Sequence, residues 1–177
     1  LNYKVNRATY SALQQSGYTC KACGFKSRPS KQVLSGYMDV IQGHCYCTLC
    51  SLALKLGQSV NGKREHGLIV WAPQLTQPQI SHLVRVSVFT QLNSESALVA
   101  SRADELLDSL RARPLDRNVF DVWDAEPGSV AYMANVISGL CPSNKAMYAK
   151  LFSGARYVPH TEKAIADIVS YWGGANP

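Results

Sequence analysis

Two cysteine pairs of identical spacing, Cys20-x-x-Cys23 in "YTCKACGF" and Cys47-x-x-Cys50 in "CTLC", constrain this 177-residue chain more than any other feature. A C-x-x-C turn brings two sulfurs within reach of one ion. Two such turns supply the tetrahedral thiolate set that Zn²⁺ favours, with Zn–S near about 2.3 Å. Other uses of the cysteines fit less well. Disulfides need an oxidising compartment, and the start "LNYKVNRATY" has no apolar signal core, so secretion by that route is not expected. A thioredoxin-like redox pair needs one C-x-x-C near a βαβ pattern, which is not seen here. Four cysteines also accommodate an iron–sulfur cluster, but the paired spacing fits zinc better. The expected ligands are Cys20, Cys23, Cys47 and Cys50. Cys45 and His44 crowd the second pair, and either is an alternative ligand in a Cys₃His or shifted Cys₄ site. Cys141, in "GLCPSN", reads as a lone semi-buried thiol beside a turn.

Catalytic zinc keeps one coordination position open for water and draws on His or carboxylate ligands. Four thiolates close the shell and quench its Lewis acidity, so the expected ion is structural and no catalytic residue is assigned. Sites of this kind contribute on the order of 10–16 kcal/mol of apparent binding energy, against a net domain stability of roughly 5–15 kcal/mol. The cysteine lobe is therefore expected to need the ion to fold.

The net charge of +6 is unevenly distributed. Residues 1–64 hold nine Lys or Arg against the single acid Asp39, a net +8, while residues 65–177 hold nine basic and eleven acidic side chains, a net −2. Four thiolates around Zn²⁺ add −2 and leave the lobe near +6. Such a surface attracts nucleic acid, anionic lipid or an acidic partner segment, or else is an ordinary solvated face. The lobe's basic residues are scattered and its aromatics few, which argues against a stacking nucleic-acid platform. No apolar run is long enough to span a bilayer; "GLIVWAP" at 67–73 is far too short, and no membrane insertion is expected.

Periodicity predicts an α+β fold, mainly helical. A small ββα zinc lobe over 1–60 precedes a helical body over 61–177, packed on it as one globular unit. A first helix runs from Arg7 to Gln15 and stops at Gly17. Short strands or a hairpin fit 24–41. "CTLCSLALKLG" has Leu49, Leu52 and Leu56 at helical spacing, with Gly57 placed as a C-cap. The polar loop "SVNGKREHG" at 59–67 marks the boundary, and "LIVWAP" reads as a strand ended by Pro73. Thr76 and Gln79 form a capping box ahead of Ile80, Leu83, Val84 and Val88 on one helical face. Val99, Ala103, Leu106, Leu107 and Leu110 make a second core stripe, and Val130, Met133, Ile137 and Leu140 a third. A further helix is expected over 143–153. A last one, capped by Thr161, presents Ile165, Ile168, Val169 and Trp172. His66, His82 and His160 form no motif and read as surface or capping histidines.

The order helix, YTCxxCG, strands, CxxC, helix resembles the zinc lobe of HNH endonucleases, in which a Cys₄ zinc braces a ββα unit and histidines hold a catalytic metal. Between Gly24 and Tyr46 this chain has one histidine, His44, and no asparagine, and Asp39 stands alone. The helix "SLALKLG" has no histidine either. The general base and ligands that the nuclease needs are missing. "YTCKACGF", the clustered "CYCTLC" and the P-x-L-T-Q stretch from Pro73 to Gln77 more closely resemble the IcmJ (DotN) family of type IVB secretion systems, with relatives in IncI-type conjugation. The resemblance covers about residues 10–90. It implies a non-catalytic, cytoplasmic adaptor held at the inner membrane through its complex. The implied partners are the C-terminal tail of the coupling ATPase and other coupling-complex subunits. On that resemblance the four cysteines are zinc ligands. Trp71 is a candidate partner anchor, with plain core as the competing reading. The alternative function is a nucleic-acid-binding protein or an HNH-type nuclease using the basic lobe.

Overall fold

The computed structural model describes residues 7–29, 37–56, 60–61, 64–65, 67–113, 115, 129–139, 146, 150 and 152–161. Helix α1 (Arg7–Gln15) forms where the sequence predicts it and buries Leu13. Gly17, at φ +58°, turns the chain out of the helix. A tight knuckle follows, closed by the Cys20 amide on the Phe25 carbonyl at 2.8 Å and by a bridge between Thr19 and Lys26. Strands β1 (Met38–Ile41) and β2 (His44–Cys47) pair antiparallel, with Met38 opposite Cys47 and Ile41 opposite His44. Gln42 and Gly43, both at positive φ, make the two-residue turn whose twist matches such a hairpin. Helix α2 (Thr48–Leu54) starts directly from β2 and completes a ββα unit.

The predicted mainly helical α+β class holds, with differences in detail. Helix α2 ends at Leu54, capped by Lys55, short of the expected Gly57, which lies outside the described residues. The loop expected at 59–67 contains a minimal ladder, β3 (Val60–Asn61) on β4 (Arg64–Glu65). The predicted strand is β5 (Gly67–Trp71). Its partner, β6 (Ala155–Pro159), was not expected from sequence. The two run antiparallel from Gly67 opposite Pro159 to Trp71 opposite Ala155. Gly67 is required there, because a Cβ would lie 2.5 Å from the Tyr157 ring and from the Val158 carbonyl.

Helix α3 (Gln77–Asn93) begins at the predicted capping box. Thr76 Oγ1 accepts from the Gln79 amide at 3.4 Å, and Gln79 Oε1 accepts from the Thr76 amide at 2.7 Å. The Gln77 side chain pairs both ways with the Tyr157 backbone, at 2.7 and 2.9 Å, and fixes α3 across the β5–β6 ribbon. Helix α4 (Ala97–Arg111) returns along α3, and α5 (Val130–Gly139) packs on β5.

The predicted stripes are core only in part. Ile80, Val84 and Val88 are fully buried, while Leu83 is half-buried. On α4 only Leu107 and Leu110 are buried, whereas Val99 and Leu106 are exposed. Among the described elements α4 packs mainly on α3, with a smaller contact to β5, and the outer part of its apolar stripe stays uncovered. On α5, Val130 and Met133 are buried and Ile137 is exposed. Leu140, Cys141 and the residues of the Thr161-capped stripe (165–172) lie outside the described residues, as does most of the helix expected over 143–153.

One apolar cluster runs through both parts of the chain. It joins Leu13, Phe25, Met38 and Leu49 to Val70, Ile80, Val84, Val88, Leu107 and Val158. The opposite face of β5 feeds a second cluster of Ile69, Leu115, Val130, Met133 and Tyr157. Among the described residues no helix is long and apolar enough to cross a membrane.

Candidate metal centre

The four predicted ligands converge. The Sγ atoms of Cys20, Cys23, Cys47 and Cys50 all lie within 4.8 Å of one another, and Cys23 to Cys47 is 3.7 Å. Four sulfurs at the corners of a tetrahedron about 2.3 Å from a central ion would stand about 3.8 Å apart. A disulfide needs about 2.05 Å, and all five described cysteines are free thiols.

Local structure explains the convergence. The knuckle turns back after Cys23 through Gly24, at φ +71°, where a side chain would be strained. Backbone hydrogen bonds from Cys23 to the Cys20 sulfur, and from Phe25 to the Cys23 sulfur, stabilise thiolate at both positions. On the other side Cys47 is the N-cap of α2 and Cys50 sits in its first turn. Partial positive charge at a helix start also favours thiolate. The Lys21 amide donates to the Cys45 carbonyl at 2.8 Å and ties the knuckle to β2.

Electrostatics ask for a cation between the sulfurs. Hydrogen bonding to Cys23, and then to Cys47 and Cys50, drives the Cys20 thiol far below its ordinary value. At Cys23, the contact with Cys20 pushes up, but those with Cys47 and Cys50 outweigh it and the thiol settles at about 6. Cys47 and Cys50 are both pushed up, first by their contacts with Cys20 and then with Cys23. Metal-free, four sulfurs this close titrate as one coupled group and cannot all carry charge together. All four become thiolates only around a positive ion. The donor set fits a soft or borderline divalent ion of tetrahedral preference.

The two alternative ligands lie outside this group. Cys45 is buried, but its sulfur accepts from Ser16 Oγ at 2.9 Å and faces the Ala12 carbonyl at 3.5 Å, so it anchors β2 to α1. His44 is exposed at the start of β2. Asp39 accepts a hydrogen bond from Ser51, on α2. Trp71 is 36% exposed, and its ring covers Gly154, where a Cβ would come within 2.6 Å of it. Of the other histidines, His160 is exposed and His66 lies outside the described residues.

Sequence reasoning missed the outer layer of the centre, which comes from α3. Arg85 is 3% exposed; its Nη2 donates to Cys47 Sγ at 3.2 Å, and its guanidinium stacks 4.0 Å above the Phe25 ring. Cys50 Sγ hydrogen-bonds Ser81 Oγ at 3.4 Å, and His82 Nε2 lies 2.7 Å from the Cys23 carbonyl. Arg85 lies one helical turn beyond both Ser81 (i, i+4) and His82 (i, i+3), so all three can reach the cysteine cluster from α3. The only available sequence signal was a lone arginine among apolar positions. Neither the protein-family models nor the curated proteins contain a match to this chain.

Proposed function

We propose that this protein is a non-catalytic, zinc-stabilised adaptor of a type IVB secretion or conjugation coupling complex, of the IcmJ (DotN) kind, which binds the C-terminal tail of the coupling ATPase. On this reading it works in the cytoplasm, at the inner membrane through its complex. What supports the reading is the convergence of four sulfurs within 4.8 Å of one another: a metal held by all four would keep no corner for water or substrate. Zn²⁺ held by Cys20, Cys23, Cys47 and Cys50 would supply cross-linking and no Lewis acidity. The ββα unit around it supports the likeness to HNH lobes. The positions where a nuclease would need a histidine base offer Asp39, engaged with Ser51, and the exposed His44.

An adaptor also needs surface for its partner. The α3–α4 pair exposes Val86, Leu92, Leu98, Val99 and Leu106, and exposed apolar side chains of this kind suit an interaction surface. A tail lying along them would cover that area, with Trp71 as a further anchor.

Titration of the purified, metal-analysed protein with a synthetic coupling-ATPase tail tests the reading. Saturable binding that Leu98→Glu and Leu106→Glu weaken at least tenfold is the expected result. Absence of binding, or metal-dependent cleavage of DNA that a His44→Ala change abolishes, would replace the adaptor with the nuclease alternative or with neither.

A further inference from the structure

The zinc reading leaves a charge to be accounted for, and the structure places a buried cation against it. Four thiolates around a divalent ion carry −2. Burying that charge without a partner is costly. Arg85 is placed to offset it directly: almost fully buried, with Nη2 3.2 Å from Cys47 Sγ and its guanidinium stacked on Phe25. Phe25 closes the knuckle that carries Cys20 and Cys23, while Cys47 opens α2. Arg85 therefore bridges the two cysteine pairs from outside the shell. Ser81 and His82, a turn earlier on α3, hydrogen-bond Cys50 and the Cys23 carbonyl.

Resting on the metal reading, we infer that Arg85 is a positioning and charge-balancing residue of the centre, which makes helix α3 part of the metal site. A hydrogen bond from a guanidinium withdraws electron density from a thiolate, lowering both its electron donation to the metal and its reactivity. It also favours the fully deprotonated, −2 form of the shell over any form with fewer thiolates. Metal affinity is then set partly by a helical residue that lies 35 positions beyond the last ligand. The ion holds α3 as much as it holds the knuckle.

The test compares the zinc- and cobalt-loaded full chain with Arg85→Met, Arg85→Gln and Arg85→Lys. Chelator competition gives the zinc affinity, and the sulfur-to-cobalt charge-transfer band gives the electron density at sulfur. The Met variant removes both charge and donor. It should bind zinc about tenfold more weakly, with the band shifted to lower energy. Gln, which keeps a donor without charge, should fall between. Lys should stay within about threefold of the parent. Should the Met variant fail to fold, the Gln and Lys pair decides the question on the same two readouts. Unchanged affinity and an unchanged band in Met or Gln would overturn the inference. So would a Lys variant as weak as Met, since then shape and not charge would matter. A parent protein that binds no metal tightly would instead defeat the zinc reading itself, so the two failures are distinguishable.

Discussion

The cysteine lobe and the helical body bury different materials. Among described residues 7–56, eight hydrophobic side chains are buried, and four of them are cysteines: Cys20, Cys45, Cys47 and Cys50. Among described residues 67–161, thirteen are buried, from Ile69 to Val158, and none is a cysteine. A buried Leu or Val contributes roughly 1.5–3 kcal/mol. Leu13, Phe25, Met38 and Leu49 therefore supply little hydrocarbon for a segment of this length. The lobe's interior is organised around the space between four sulfurs, whereas the body's is mostly hydrocarbon, with Ser81, Arg85 and Ser87 as its buried polar side chains among the described residues. Yet the two share one continuous cluster and meet through Ser81, His82 and Arg85 of α3. The lesson is that a lobe poor in hydrocarbon, built around four convergent sulfurs, need not be a separable unit.

The sharpest way to break that comparison is to remove a ligand. Cys50→Ser, or chelation of the parent, should cost the lobe most of the roughly 10–16 kcal/mol that such an ion contributes. The expected product holds no tight metal, loses its near-UV circular dichroism and aggregates. A Cys50→Ser protein that stays soluble with the parent's near-UV spectrum would mean that hydrocarbon alone suffices in both halves.

Acid should have a similar effect reversibly, and its sign follows from the thiols. An ion bound by all four would hold them deprotonated, which places their folded-state pKa below the ordinary 9.0; Cys23 is already down to about 6 without it. Depressed acids contribute stability that is present at neutral pH and lost as pH falls through their folded values. Metal release monitored by a colorimetric zinc indicator should therefore rise steeply below about pH 6. An unmoved metal content at pH 4 would contradict thiolate ligation.

Truncating the body's core sharpens the contrast from the other side. Leu107 is completely buried between α3 and the rest of the main cluster. Leu107→Ala should cost about 2–5 kcal/mol in denaturant unfolding while the folded protein keeps its metal. Equal loss of metal and of stability would show that the halves unfold as a single unit.

Legibility from sequence followed the range of each interaction. Helix α1, the capping box and the cysteine set are written in neighbouring residues, and the structure realises all three. The β6 strand, "ARYVP", carries a proline and an arginine and has no alternation of its own. Its pairing residues lie some 88 positions upstream, so nothing local announces it. Arg85 was equally hidden, because an arginine on a helix reads as solvated until the cluster facing it is known. The α4 stripe misled in the opposite direction. Val99 and Leu106 have core periodicity but are exposed, because periodicity marks a face without showing how much of it a neighbour covers.

The smallest expected effect separates the capping of α3 from its contact with the metal. Thr76→Ala removes the hydroxyl that accepts from the Gln79 amide at 3.4 Å, while the backbone amide of residue 76 still donates to the Gln79 side chain. Such a loss costs about 1 kcal/mol, or about 2–4 °C in Tm for a chain of this size. Fraying should stop within the first turn, because the Gln77 amide remains paired with the Tyr157 backbone at both ends. Arg85, two turns further on, should not move. Zinc affinity by chelator competition should therefore stay within about twofold while Tm falls. If affinity drops in step with Tm, the start of α3, and not Arg85 alone, positions the helix against the cysteines, and the boundary between lobe and body lies further along the chain than the sequence suggests.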